Sequence, residues 1–174
     1  MLIPNNTIAV LQLHIRPGGY SDEILCLEDG WGTESKSGTI YLRAKITIIS
    51  GPQKGNFFGF PIGIYSEKNQ LWQNDGRRII REILNSSQGL SAKDNSRAAV
   101  FGRIIQNYQV LDKICFVGII GIKKDRNGNQ ENTISKILSR DDPEYQEMIE
   151  TKKFSPARKT PPPSEPSSPR WLRY

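Results

Sequence analysis

The 174-residue sequence predicts a mainly β chain with inserted helices, followed by a disordered tail. Four observations carry that expectation. Residues 40–48 alternate at a period of two, with Ile40, Leu42, Ala44, Ile46 and Ile48 on one face and Tyr41, Arg43, Lys45 and Thr47 on the other. Residues 74–108 hold the helical periodicity of the chain, and residues 125–129, DRNGN, carry the Asn-Gly signal of a hairpin. After Thr151 the composition turns abruptly to proline, serine and basic residues.

Taken in order, residues 7–16 read as a first strand, Leu11, Leu13 and Ile15 alternating with Gln12, His14 and Arg16. Residues 20–37 form an acidic loop with a short apolar patch, Ile24 to Leu27; Trp31 within it is either a lid over the core or an exposed stacking residue. The second strand, 40–48, turns through Gly51-Pro52-Gln53-Lys54-Gly55 into a third, NFFGFPIGIY, which Pro61 makes an edge or a sharply bent strand. A helix with Asn74 or Asp75 as N-cap runs to Gly89 and buries Ile79, Ile80, Ile83 and Leu84, with Arg77, Arg78 and Arg81 on much of its other side. A second helix is expected over 96–108, then a buried strand over 113–124, a last strand over 132–139, and a capping helix begun by Asp141 or Asp142 with Pro143 in its first position.

Three strands, a helical segment over about 74–108, then two strands is the order of a five-stranded OB-fold barrel. The expected organisation is therefore an OB-like domain over residues 1–151 and a Pro/Ser-rich basic tail over 152–174. The formal net charge is +6; from Lys152 onward six cations oppose the single acid Glu165, leaving +5 there and +1 for residues 1–151. A nucleic-acid reading of the body thus rests on local patches.

Catalytic chemistry finds little to stand on. The one histidine, His14, sits mid-strand, and none of the HExxH, GxSxG or GxxxxGK[ST] patterns occurs. Cys26 and Cys115 are far apart and have no metal-ligand spacing, so neither catalytic residues, metal nor cofactor is expected. There is no apolar run near membrane-spanning length and no signal-peptide pattern at MLIPNNTIAV, which points to a cytoplasmic protein without membrane partners. Single-stranded nucleic acid needs cations for phosphate and exposed rings for bases. Tyr41, Arg43, Lys45, Lys54, Phe57 and Tyr65 supply both on the strands an OB-fold presents to its ligand. The bland reading is a solvated strand face with Phe57 packed under the loop. Arg77, Arg78 and Arg81 either extend a phosphate path or solvate a helix, and Trp171, Leu172 and Tyr174 are either an apolar anchor for a partner protein or part of a merely solubilising terminus.

The runs SKSGTIYLRAKITIISGPQKGNFF, WQNDGRRIIREIL and LDKICFVGIIGIKKDRNGNQENTISKIL resemble a phage- and prophage-encoded group of largely uncharacterised function, found beside recombination and replication genes. The resemblance spans roughly residues 4–145 and implies an OB-like single-stranded-DNA-binding or recombination-accessory protein. Recombination or replication proteins are then the expected partners, and a homo-oligomer is left open. The basic tail ending RWLRY departs from the acidic tails by which many such binders recruit partners. The competing reading is a protein-interaction module, a phage accessory or inhibitor of a host protein, acting through barrel surface, acidic loop or tail.

Overall fold

The alternation at residues 7–16 and 40–48 becomes the centre of the sheet. The computed structural model describes residues 1–159 and 172–174. β1 (Thr7–Arg16) pairs antiparallel with β3 (Ile40–Ile48), Leu13 opposite Ile46 and Ile15 opposite Ala44. The apolar sides of both strands are buried, Leu11, Leu13, Leu42, Ile46 and Ile48 completely. Each such side chain contributes on the order of 2 kcal/mol by leaving water. β2 (Thr33–Glu34), β4 (Phe57–Gly59) and β5 (Ile62–Tyr65) also pair with β3, while β7 (Cys115–Lys124) joins the far side of β1 and β8 (Gln130–Ile137) follows it. The result is an open antiparallel sheet in the order β2-β3-β1-β7-β8, with β4 and β5 on β3.

The sheet stays open and does not close into the five-stranded barrel expected from the strand order. Pro61 has no N–H to give a ladder, so the third expected strand divides into β4 and β5 around Phe60-Pro61. A cleft of about 290 Å³ separates Gly59, Phe60 and Pro61 from Ile134, Ser135 and Lys136 on β8, and helical side chains from Trp72 to Glu82 line it.

α1 (Gln70–Gln88) starts earlier than Asn74 or Asp75, because the Asn69 side chain accepts the Trp72 N–H at 3.1 Å and caps the first turn. Gly89, at φ 67°, ends it in the left-handed region. Its buried stripe is the expected one, Ile79, Ile80, Ile83 and Leu84. It packs backbone to backbone on β5: a Cβ on Gly76 would stand 1.9 Å from the Gly63 carbonyl oxygen. α2 (Arg97–Gly102) is much shorter than 96–108. Gly102 sits against the Gln88 side chain, and Arg103 turns inward, after which the chain leaves the helix for β6 (Ile104–Ile105). Arg103 is 2% exposed and donates to Asn85 Oδ1 at 2.7 Å and to the carbonyls of Asp94 and Ser91 at 2.7 and 2.8 Å.

The 125–129 hairpin forms as expected, with Asp125 accepting from the Asn127 and Asn129 N–H groups and Gly128 at φ 84°. α3 (Pro143–Glu150) begins after Asp142, with Pro143 in the first position. It covers the second face of the sheet, where Tyr145 and Met148 pack with Val10, Val117, Leu138 and Phe154. In the loop before β3, Trp31 is half-buried against the main core, which makes it a lid. Packing continues past residue 151: Phe154 is buried edge-on to Tyr145, the Ala157 N–H donates to the Ser87 carbonyl, and Arg158 and Lys159 donate to the Gly89 and Ile104 carbonyls. β9 (Leu172–Arg173) then pairs with β6. Among the described residues, no helix is long and apolar enough to cross a membrane.

Candidate nucleic-acid interface

The register of β1 on β3 decides which polar side chains meet. Antiparallel partners share a face, and the pairs are His14 opposite Lys45 and Arg16 opposite Arg43. Like charges directly opposite one another destabilise a sheet, yet among the described residues no carboxylate forms an ion pair with Arg16, Arg43 or Lys45. Phe57 on β4 stands beside them, 64% exposed, with the Lys45 ammonium 4.8 Å from its ring centroid. Together with Gly59 these residues line a cavity of about 480 Å³. The neighbouring Gly59 exposes backbone without a side chain to shield it.

Of the residues expected at such a surface, Arg43, Lys45 and Phe57 therefore come together. Tyr41 belongs to a different place: its ring meets Trp72 of α1 edge-on at 6.5 Å, and the two line a second cavity of about 450 Å³ with Ser35, Ser37 and Arg126. Lys54 is exposed on the β3–β4 turn and is not part of either cavity. Tyr65 is half-buried at the end of β5, where its hydroxyl donates to Glu67 at 3.3 Å; burial and the Glu67 carboxylate raise its pKa. Two further residues, both on β1, complete the polar face. His14 and Arg16 were on the polar side of their strand by simple alternation, and only the β1–β3 register, with Arg16 opposite Arg43, places them beside the others.

The helical cluster splits three ways. Arg78 bridges Asp75 at 2.6 Å and Glu82 at 2.8 Å, so its charge is answered on α1 itself. Arg77 lies over the ring of Tyr174, 5.4 Å from its centroid, and Arg81 donates to the Tyr174 main-chain oxygen at 3.0 Å and to the Ala92 carbonyl at 3.3 Å. The Tyr174 hydroxyl is hydrogen-bonded to that of Tyr108. Burial raises the pKa of Tyr174 to about 12 and that of Tyr108 still further. Of the expected partner anchor, Leu172 contributes backbone pairing through β9, Tyr174 occupies this slot, and Trp171 lies outside the described residues. No cluster of three or more histidine, cysteine, aspartate or glutamate side chains able to hold a metal occurs among the described residues. Compared with models of protein families and with curated proteins, the chain matches none.

Proposed function

We propose that this chain is a non-catalytic single-stranded-DNA-binding protein of the phage type, acting in recombination or replication in the cytoplasm. The observation that carries the reading is the acid-free face on which Arg16 lies opposite Arg43 and His14 opposite Lys45, with Phe57 exposed at its edge. A fold tolerates unneutralised cations in register when an anion answers them, and a polyanion with flat bases answers both the cations and the ring. Duplex DNA would leave Phe57 without a stacking partner, which favours the single strand. The strand order further supports an OB-like reading: β1 lies between β3 and β7, β8 follows β7, and α1 connects the β5 and β7 halves, as in an OB barrel opened along one seam. The likeness to phage and prophage proteins fits the same role.

The test is a titration with poly-dT at about 50 mM salt, followed by tryptophan fluorescence, and repeated over a salt series. Binding that weakens with salt and is lost in the Arg43→Ala, Lys45→Ala double variant supports the reading. Absence of binding at that salt concentration, where phosphate contacts are strongest, overturns it. The alternative of a protein-interaction module gains from one observation, the strand pairing by which β6 accepts β9. A partner captured at high salt, with capture unchanged in the same double variant, would favour it.

A further inference from the structure

The chain's last described residues fold back onto the body. β9 adds to β6, and the Tyr174 N–H donates to the Arg103 carbonyl at 2.9 Å. The side chain then fills the slot beside α1: ring under the Arg77 guanidinium, edge-on to Tyr108 at 6.5 Å, main-chain oxygen on Arg81. An aromatic ring against one arginine, with an oxygen on a second arginine one helical turn along, reproduces the chemistry by which a protein holds one nucleotide of a single strand. The base takes the guanidinium face, and a phosphate oxygen takes the second cation. The segment is also well placed to come and go. β9 is held on β6 by two residues of pairing, which adds little to keep Tyr174 in place.

We propose that the Arg77–Arg81 slot is a second nucleotide-binding site and that Tyr174 covers it in cis, competing with single-stranded DNA for the two arginines. This rests on the single-stranded-DNA reading of the β1–β3 face. In the closed form the β1–β3 face alone is open to the strand. A strand that also reaches α1 displaces the tyrosine and gains two cations. The tail is then a brake on affinity, and its release lengthens the site that the strand occupies.

The experiment uses the full chain carrying Tyr174→Ala and a fluorescein-labelled oligo-dT, read by anisotropy over a salt series. The expected result is binding about 3- to 10-fold tighter at about 50 mM salt. The slope of log K against log salt should steepen by about 0.7, for the one further phosphate that Arg81 takes on a single strand. Tyr174→Phe, which keeps the ring and loses the hydroxyl bond, should give a smaller rise. Adding Arg77→Gln and Arg81→Gln to Tyr174→Ala should return affinity and slope to the wild-type values. Wild-type binding that depends on Arg43 and Lys45 but is unchanged or weakened in Tyr174→Ala overturns this inference and leaves the face reading standing. Absence of binding by every variant overturns both.

Discussion

Two groups of cations in this molecule look alike in the sequence and are used in opposite ways. On the β1–β3 face, Arg16 lies opposite Arg43 with Lys45 two residues along β3; none of the three has a carboxylate ion-pair partner among the described residues, and the lysine leans on an exposed ring. At the corner between α1 and β6 every cation has a partner. Arg78 has two carboxylates, Arg77 and Arg81 hold Tyr174, and Arg103 is enclosed by an amide and two carbonyls. Desolvation by burial, with help from nearby Arg81, lowers the Arg103 pKa, and only Asp94 opposes it. The lesson is that a positive charge is informative about an anionic partner only after its protein partners have been subtracted. By that measure the face is what an incoming anion meets first, while at the corner Arg77 and Arg81 are answered by Tyr174 for as long as it stays in place.

The contrast can be broken by asking each group to do the other's work. The largest expected effect is on stability, from Arg103→Ala. It leaves Asn85 Oδ1 and two carbonyls short of a donor and opens a cavity, and chemical denaturation should show a loss of about 3 kcal/mol. Next comes the Arg43→Ala, Lys45→Ala pair, which should weaken oligo-dT binding by about 30-fold, or about 2 kcal/mol, at low salt. Its Tm should be unchanged or slightly higher, because like charges opposite one another are relieved; a fall in Tm as large as that of Arg103→Ala would erase the distinction. Phe57→Ala should cost about 1 kcal/mol of binding in the same assay, with little change in denaturation midpoint, since its ring is mostly in water. Arg78→Gln should change stability by less than about 1 kcal/mol, as exposed ion pairs do, and leave oligo-dT affinity within about twofold.

The smallest effect at ordinary pH comes from the buried tyrosines. Burial raises Tyr145 and Tyr174 to about 12, so the folded chain keeps protons that the unfolded chain loses near 10. Their stabilisation is complete below about pH 10 and is lost between about 10 and 12, which thermal melts across that range would register. A loss setting in already below pH 9 would contradict the burial assigned to Tyr145 and Tyr174.

Much of the fold was legible because it depends on local periodicity. The β1 and β3 alternation, the Asn127-Gly128 hairpin, the Pro143 helix start and the apolar stripe of α1 are all short-range patterns, and each has the structure it predicts. Long-range choices were not legible. The start of α1 moved because Asn69 and Asn74 are equally good caps in isolation, and contact with β5 selects between them. The second helix ends early because Arg103 finds its acceptors on Asn85, Ser91 and Asp94, beyond the reach of helical periodicity. A single cation inside the apolar run FGRII was the available clue. The candidate face was half legible for the same reason: alternation named Arg43 and Lys45, whereas His14 and Arg16 needed the register. Tyr41 falls elsewhere because Trp72 arrives from the first turn of α1, which lies before the Asn74 or Asp75 start expected from the sequence.

The contact between Gly63 and Gly76 has a mechanical consequence. A Cβ on Gly63 would meet the Trp72 ring at 2.7 Å, and one on Gly76 would meet the Gly63 carbonyl at 1.9 Å, so β5 and α1 touch with nothing between them. Trp72 walls the Tyr41 cavity from one side of that point, while Arg77 and Arg81 hold Tyr174 just beyond it. The first half of the helix is therefore held by direct contact with β5, and the second half by the burial of Ile83, Leu84 and Ser86 against the rest of the core. A methyl group added at Gly63 or Gly76 would have to push α1 away from β5, and so disturb the aromatic cavity and the tyrosine slot with one change.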